Sequence, residues 1–139
     1  MRAARAGIHA GYSHYLLLTV LGEALLRTGA APSTPEFAEA QGALEQAVAK
    51  QPSYSSSHVA LGRVYLALGR NSEAVAQLET ARRLDPRNKA VYPPLAAAYQ
   101  RSSKPEEAKA VLSALAELNR EEAARIGAAD GGHAGYVRK

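Results

Sequence analysis

Apolar residues along this chain recur at intervals of three and four, the spacing that gathers side chains on one face of a helix. From Ser55 to Asn88 the pattern runs Leu61-Gly62, Tyr65, Gly69, Ala74, Leu78, Ala81 and Pro86. A shift of 34 residues finds Leu95-Ala96, Tyr99, Ser103, Ala108, Leu112 and Leu115 in the same slots, with Tyr92 at the place of His58 and no gap. Moving back, Leu21-Gly22, Leu25, Gly29, Ala40, Leu44, Ala47 and Pro52 fill them once six extra residues are allowed in Ala30 to Pro35. That stretch, Ala-Ala-Pro-Ser-Thr-Pro, has the composition of an elongated turn.

The residue types explain the spacing. Leu61, Gly62 and Tyr65 share a helical face, on which Gly62 permits close approach of a neighbouring helix while Leu61 and Tyr65 fill the flanking volume. Gly69 allows a left-handed residue that closes this helix, and Asn71 or Ser72 is placed to cap a second one over Glu73 to Leu84. In that second helix Ala74, Leu78 and Ala81 form the contact stripe, and Pro86 stops it. Each unit is therefore helix, turn, helix, stop, and needs neighbours to bury its apolar faces. Tyr92-Pro93-Pro94 conflicts with a full-length first helix in the third unit. A start near Val91 or Tyr92 puts both prolines in the first turn, where they cost little, and narrows any groove at that point.

The divisions that follow are a leader or partial preceding helix at 1–14, a first unit at 15–54 with its long turn at 30–35, a second at 55–88 and a third at 89–122. Residues 123–139 are expected as a helix extension or cap followed by a flexible Gly-rich tail. Arg120 stands where the closing proline should be, so the last helix is expected to run on through Glu121, Glu122, Ala123, Arg125 and Ile126.

Leu61, Gly62, Tyr65, Ala74, Ala81 and Pro86 make the chain resemble the tetratricopeptide repeat family, whose units are 34-residue helical hairpins. Leu78 replaces the usual aromatic acceptably; His58, in a slot usually held by Trp, is a departure and reads as a packed, hydrogen-bonded ring. The resemblance covers Tyr15 to about Arg120 and implies an all-α, right-handed superhelix of antiparallel helix pairs, an α-α solenoid of six to seven helices. It also implies a concave face lined mainly by the first helix of each unit. Projected onto this chain, that face carries Leu16, Thr19, Glu23, Leu26 and Arg27 in the first unit and Ser56, Val59, Arg63, Leu66 and Ala67 in the second. The third contributes Ala90, Pro93, Ala97, Gln100 and Arg101. The stripe is apolar, with charge at Glu23, Arg27, Arg63 and Arg101, which suits apolar anchors and a carboxylate or backbone carbonyls of a peptide. The same positions could instead pack a neighbouring repeat or a twin subunit. The clamp with which some family members hold acidic chaperone C-termini is missing, since its slots hold Thr19, Glu23, Ala60, Ala90 and Pro94.

Composition narrows the function further. With 139 residues, 47% hydrophobic and 22% charged, the chain is one soluble domain rather than a disordered segment. The net charge of +4 sits at the ends, in Arg2, Arg5, Arg138 and Lys139, and the body is neutral. The local cluster Arg82, Arg83, Arg87 and Lys89 reads as a solvated helix end, so a nucleic-acid partner is not expected. Two arginines ahead of Tyr15 to Leu26 imitate a signal peptide, but Glu23 interrupts a run too short to span a bilayer, and no membrane contact is expected.

Absence of cysteine excludes a disulfide framework and thiol chemistry and leaves the compartment open. His9, His14, His58 and His133 show no metal-pair spacing, and neither a phosphate loop nor a nucleophile in context occurs. No catalytic residue, metal or cofactor is expected. The reading is a non-enzymatic protein-protein interaction scaffold that holds a peptide or protein segment in its groove. The alternatives are a structural spacer or self-associating module, which makes a homo-oligomer possible, and a small-ligand sensor.

Overall fold

The computed structural model describes residues 14–137, with side chains as far as Ala128. The expected leader lies outside the described residues except for His14, as do Arg138 and Lys139. Six α-helices follow in order: α1 Tyr15–Arg27, α2 Pro35–Lys50, α3 Ser55–Ala67, α4 Asn71–Leu84, α5 Tyr92–Arg101 and α6 Pro105–Val137, with a 3-10 turn Lys89–Val91 before α5. Helices α1 and α2, α3 and α4, and α5 and α6 form hairpins, while α2 against α3 and α4 against α5 join one hairpin to the next. The architecture is an all-α solenoid of three helix pairs.

Local chemistry sets each boundary. His14 caps α1 by accepting from the Leu16 amide at 3.1 Å, and Thr34 caps α2 by accepting from the Phe37 amide at 3.3 Å with Pro35 opening the helix. The turns after α1, α3 and α5 share one device: Gly29 at φ +77°, Gly69 at φ +76° and Ser103 at φ +59° occupy equivalent slots in the left-handed region. Only the third is made without glycine. The expected cap at Asn71 or Ser72 is not formed. The helix starts at Asn71 itself, after Arg70, without a side-chain cap, and the Asn71 amide nitrogen instead donates to the Arg101 carbonyl of the next unit at 3.5 Å. Helix α5 begins at Tyr92 with both prolines in its first turn, three residues shorter than α3. Helix α6 continues past Arg120 to Val137, so the Gly-rich stretch after Ile126 expected as a loose tail is helical backbone. Nothing like Pro86 interrupts it.

The core is built from contacts that repeat in register. A Cβ placed on Gly62 would lie 2.6 Å from Leu78 Cγ, and one on Gly22 would lie 2.5 Å from Leu44 Cγ, so each glycine makes room for the leucine of its own hairpin. Leu44 and Leu78 are both 0% exposed. His58 is buried, its Nε2 donating to the Pro52 carbonyl at 2.6 Å and its Nδ1 lying 2.8 Å from the Gln77 amide oxygen. One unit later the Tyr92 hydroxyl donates to the Pro86 carbonyl at 2.6 Å, so this slot ties each hairpin to the proline that ends the previous one. A second tie also recurs. The Tyr65 hydroxyl donates to Glu45 at 3.4 Å and the Tyr99 hydroxyl to Glu79, linking the first helix of one unit to the second helix of the unit before.

Burial and then the hydrogen bond to Glu79 push the Tyr99 hydroxyl up to about 12 from the ordinary 10.0, and burial with the charge of Glu45 pushes Tyr65 up as well. Between pH 10 and 12 the folded chain therefore keeps a proton that the unfolded chain loses, and stability falls as pH rises. Urea midpoints should drop across that window in the wild type and drop less in Tyr99→Phe; equal slopes would refute the tie.

Gly62→Leu should overpack the α3–α4 contact and cost about 1–3 kcal/mol or more, read as a lower melting temperature. Ser103→Gly should act in the opposite sense, gaining about 1 kcal/mol by relieving a left-handed serine. A loss of stability there would mean that the Ser103 side chain contributes more than its backbone strain costs.

Candidate functional site

The inner side of the array holds a cleft of about 450 Å³ between the first and second units, closed at one end by the start of the third. Helix α1 contributes Glu23, Leu26 and Arg27 from its last turns, because the left-handed turn at Gly29 ends the helix there. Ala30 extends this wall through the long turn and Phe37 forms part of the floor from the first turn of α2. Helix α3 supplies the opposite wall with Ser56, Val59, Ala60, Arg63 and Ala67, spaced at threes and fours along one face. Asn88 and Ala90 close the third side. Their backbone is fixed by the Asn88 side chain, which accepts from the Ala90 amide at 3.2 Å.

The lining is apolar at its base and charged at its rim. Phe37, Val59 and Ala60 are buried, whereas Arg27, Arg63, Ala67 and Ala90 are exposed, so the cleft opens to solvent rather than enclosing a chamber. Its charges are not equivalent. Arg27 lies 3.7 Å from Glu23 across one helical turn and is partly neutralised by it. Arg63 makes no ion pair among the described residues and stands mid-wall as the cation still available for an incoming acceptor. Arginine in such a position offers a planar fork of donors suited to a carboxylate or to peptide carbonyls.

Of the residues projected onto the concave face, Glu23, Leu26, Arg27, Ser56, Val59, Arg63, Ala67 and Ala90 meet in this cleft. Others do not line it. Thr19 is 2% exposed and its hydroxyl donates back to the Tyr15 carbonyl at 2.7 Å, so it belongs to the helix contact and not to the groove. Leu16 is exposed nearly two turns before Glu23 and does not line the cleft. Leu66 is half-buried, and its carbonyl accepts from the Arg101 guanidinium at 3.1 Å, which commits Arg101 to the junction of α3 and α5. Pro93, Ala97 and Gln100 are also outside the lining, because the late start of α5 leaves Asn88 and Ala90 to form the third wall.

Phe37, Ala30, Ala60 and Asn88 are lining residues that helix-face projection missed. Phe37 and Ala30 come from the second helix and from the inserted turn, neither of which lies on the projected stripe. Phe37 is the only phenylalanine in the chain, and that was the one available signal. Among the described residues no cluster of three or more His, Asp or Glu side chains could hold a metal ion, and no helix is long and apolar enough to cross a membrane.

Comparison with known proteins agrees with the repeat. The family model described as tetratricopeptide repeat matches residues 36–93, the segment that includes the second helix of the first unit and both helices of the second. The fold is similar to crystal structures of MamA. One is 22% identical with a TM-score of 0.67 over 80% of this chain, and another is 19% identical with a TM-score of 0.70 over 88%. It is also similar to SycD of Yersinia enterocolitica, a type III secretion translocator chaperone, with 17% identity and a TM-score of 0.65; 82% of this chain covers 86% of that one. The chain spans 57% and 65% of the length of two of the MamA structures and 77% of a third. At these identities the likeness concerns the fold. No curated protein matches the sequence.

Proposed function

We propose that this chain is a tetratricopeptide repeat protein, on the match over residues 36–93 and the helix pairs that continue its register on either side, and that it binds an extended protein segment in the cleft between α1 and α3. The family and fold support a protein-protein interaction scaffold. The finer reading rests on one observation, the unpaired Arg63 standing above an apolar base of Phe37, Val59 and Leu26. A segment with one acidic residue flanked by aliphatic side chains complements that surface. Its carboxylate meets Arg63, its apolar side chains displace water from the base, and the Glu23 and Arg27 pair at the rim disfavours a uniformly charged ligand.

An open cleft with exposed arginines suits a chain passing through it better than a small molecule, which needs most of its surface enclosed. The expected preference separates this reading from a generic sticky surface. Among the described residues Arg63 is the one cation of the cleft without an ionic partner, so selectivity for a single carboxylate should be sharper than for a run of them.

The probe is a set of fluorescent nine-residue peptides, each with a central Asp or Glu between Leu or Val residues, beside matched peptides with Lys at the centre. Anisotropy titrations should favour the acidic set, and Arg63→Glu should weaken it by about tenfold to a hundredfold, the equivalent of roughly 1.5–3 kcal/mol for a charge-assisted hydrogen bond. Equal affinity for both sets, or affinity indifferent to Arg63→Glu, would remove the cleft from recognition.

A further inference from the structure

The junction between successive units occurs twice within this chain, α2 against α3 and α4 against α5. In each case the outgoing helix presents a leucine, Leu44 or Leu78, that the following helix seals to 0% exposure. Leu112 occupies the same slot on α6 and is 43% exposed. On the same face of α6, four turns further on, Ile126 is 55% exposed. This is the outgoing half of a junction with its cover missing among the described residues.

At the opposite end the incoming half has no cover among the described residues. On α3 the slots that face the preceding unit hold Ser57, Ala60 and Val64, exposed by 0%, 4% and 0%. The equivalent slots on α1 hold Leu17, Val20 and Ala24, of which Val20 is 56% exposed and the other two are half-buried. Leucine replaces serine and valine replaces alanine there, while alanine replaces valine, so the end face is wholly apolar. Charge does not oppose contact, because Lys109 pairs with Glu106 at 3.6 Å and Arg120 pairs with Glu117, neutralising the flanks of α6.

We infer that these two faces dock on one another between copies of this chain, α6 of one copy against α1 of the next, as a head-to-tail continuation of the repeat junction. The occupant follows from the interface the chain already makes with itself. An outgoing face is complementary to an incoming one and not to a second outgoing face, so the contact is heterologous and leaves one half free at each end. The junction is weaker than the internal ones. The tyrosine-glutamate tie of α3 and α5 has no equivalent across it, since its slots hold Leu25 and Ser113. Reversible growth with concentration is the consequence.

Sedimentation of the 139-residue chain from micromolar to several hundred micromolar should show an average mass that rises above the monomer with concentration. Val20→Glu and Leu112→Glu, both at exposed positions and checked for unchanged helicity, should each stay at the monomer mass. An equimolar mixture of the two should form a one-to-one dimer and nothing larger, because it contains one intact face of each kind. A wild type that stays monomeric throughout overturns the inference. So does association retained by Val20→Glu or by Leu112→Glu alone, which would point to a symmetric contact or to another surface. The peptide cleft is separate. Arg63→Glu should leave the concentration dependence unchanged, and the two end variants should leave peptide affinity unchanged, so failure of either reading is distinguishable from failure of the other.

Discussion

Everything in this fold depends on how one leucine is seated. Leu44 and Leu78 each lie over a glycine of their own hairpin, where a single added carbon would come within 3 Å, and each is then covered by the first helix of the next unit. Three helices thus share one contact. Loss of the glycine separates the hairpin, and loss of the following helix exposes the leucine. Stability in such an array comes from neighbours, unit by unit, rather than from one central core. The ties from His58 and Tyr92 to the preceding prolines, and from Tyr65 and Tyr99 to the preceding glutamates, fix the orientation at which each new unit is added.

That orientation creates the cleft. The inserted residues between α1 and α2 place Ala30 beside Phe37, and the two prolines delay α5 until after the cleft has been closed by Asn88 and Ala90. The first breaks the 34-residue register and the second shortens a helix within it, and both shape the walls. The regular part of the sequence builds the scaffold, and its departures from regularity shape the surface that a partner would meet.

The period, the helix pairs and the buried faces were legible in the sequence because each depends on residues three or four apart or on the same slot one unit away. Arg63, Glu23 and Arg27 could be placed on one helical face for the same reason, and all three line the cleft. Other features depend on contacts between units that no local spacing encodes. Asn71 looked like a cap, but its side chain is drawn to the Arg101 carbonyl of the following unit. Thr19 lies on the projected stripe, yet its hydroxyl returns to its own helix and the residue is sealed. Arg101 has groove chemistry, and a backbone carbonyl of α3 already holds it. The helix past Ile126 ran against expectation because glycine content argues for a loop, while the absence of a stop after Arg120 lets an established helix propagate.

The two ends and the cleft divide the surface by chemistry. At the ends Val20 and Leu112 are uncovered versions of contacts that are sealed elsewhere, apolar and flanked by paired charges. In the cleft the apolar base is accompanied by a guanidinium with no ionic partner among the described residues. A surface that is only apolar has the character of the internal junctions, which also bury small and aliphatic side chains. A surface that keeps a charge unpaired differs in kind, because among the described residues no carboxylate pairs with Arg63. The chemistry of the cleft thus differs from that of the two end faces, which is why the two proposals can be tested independently.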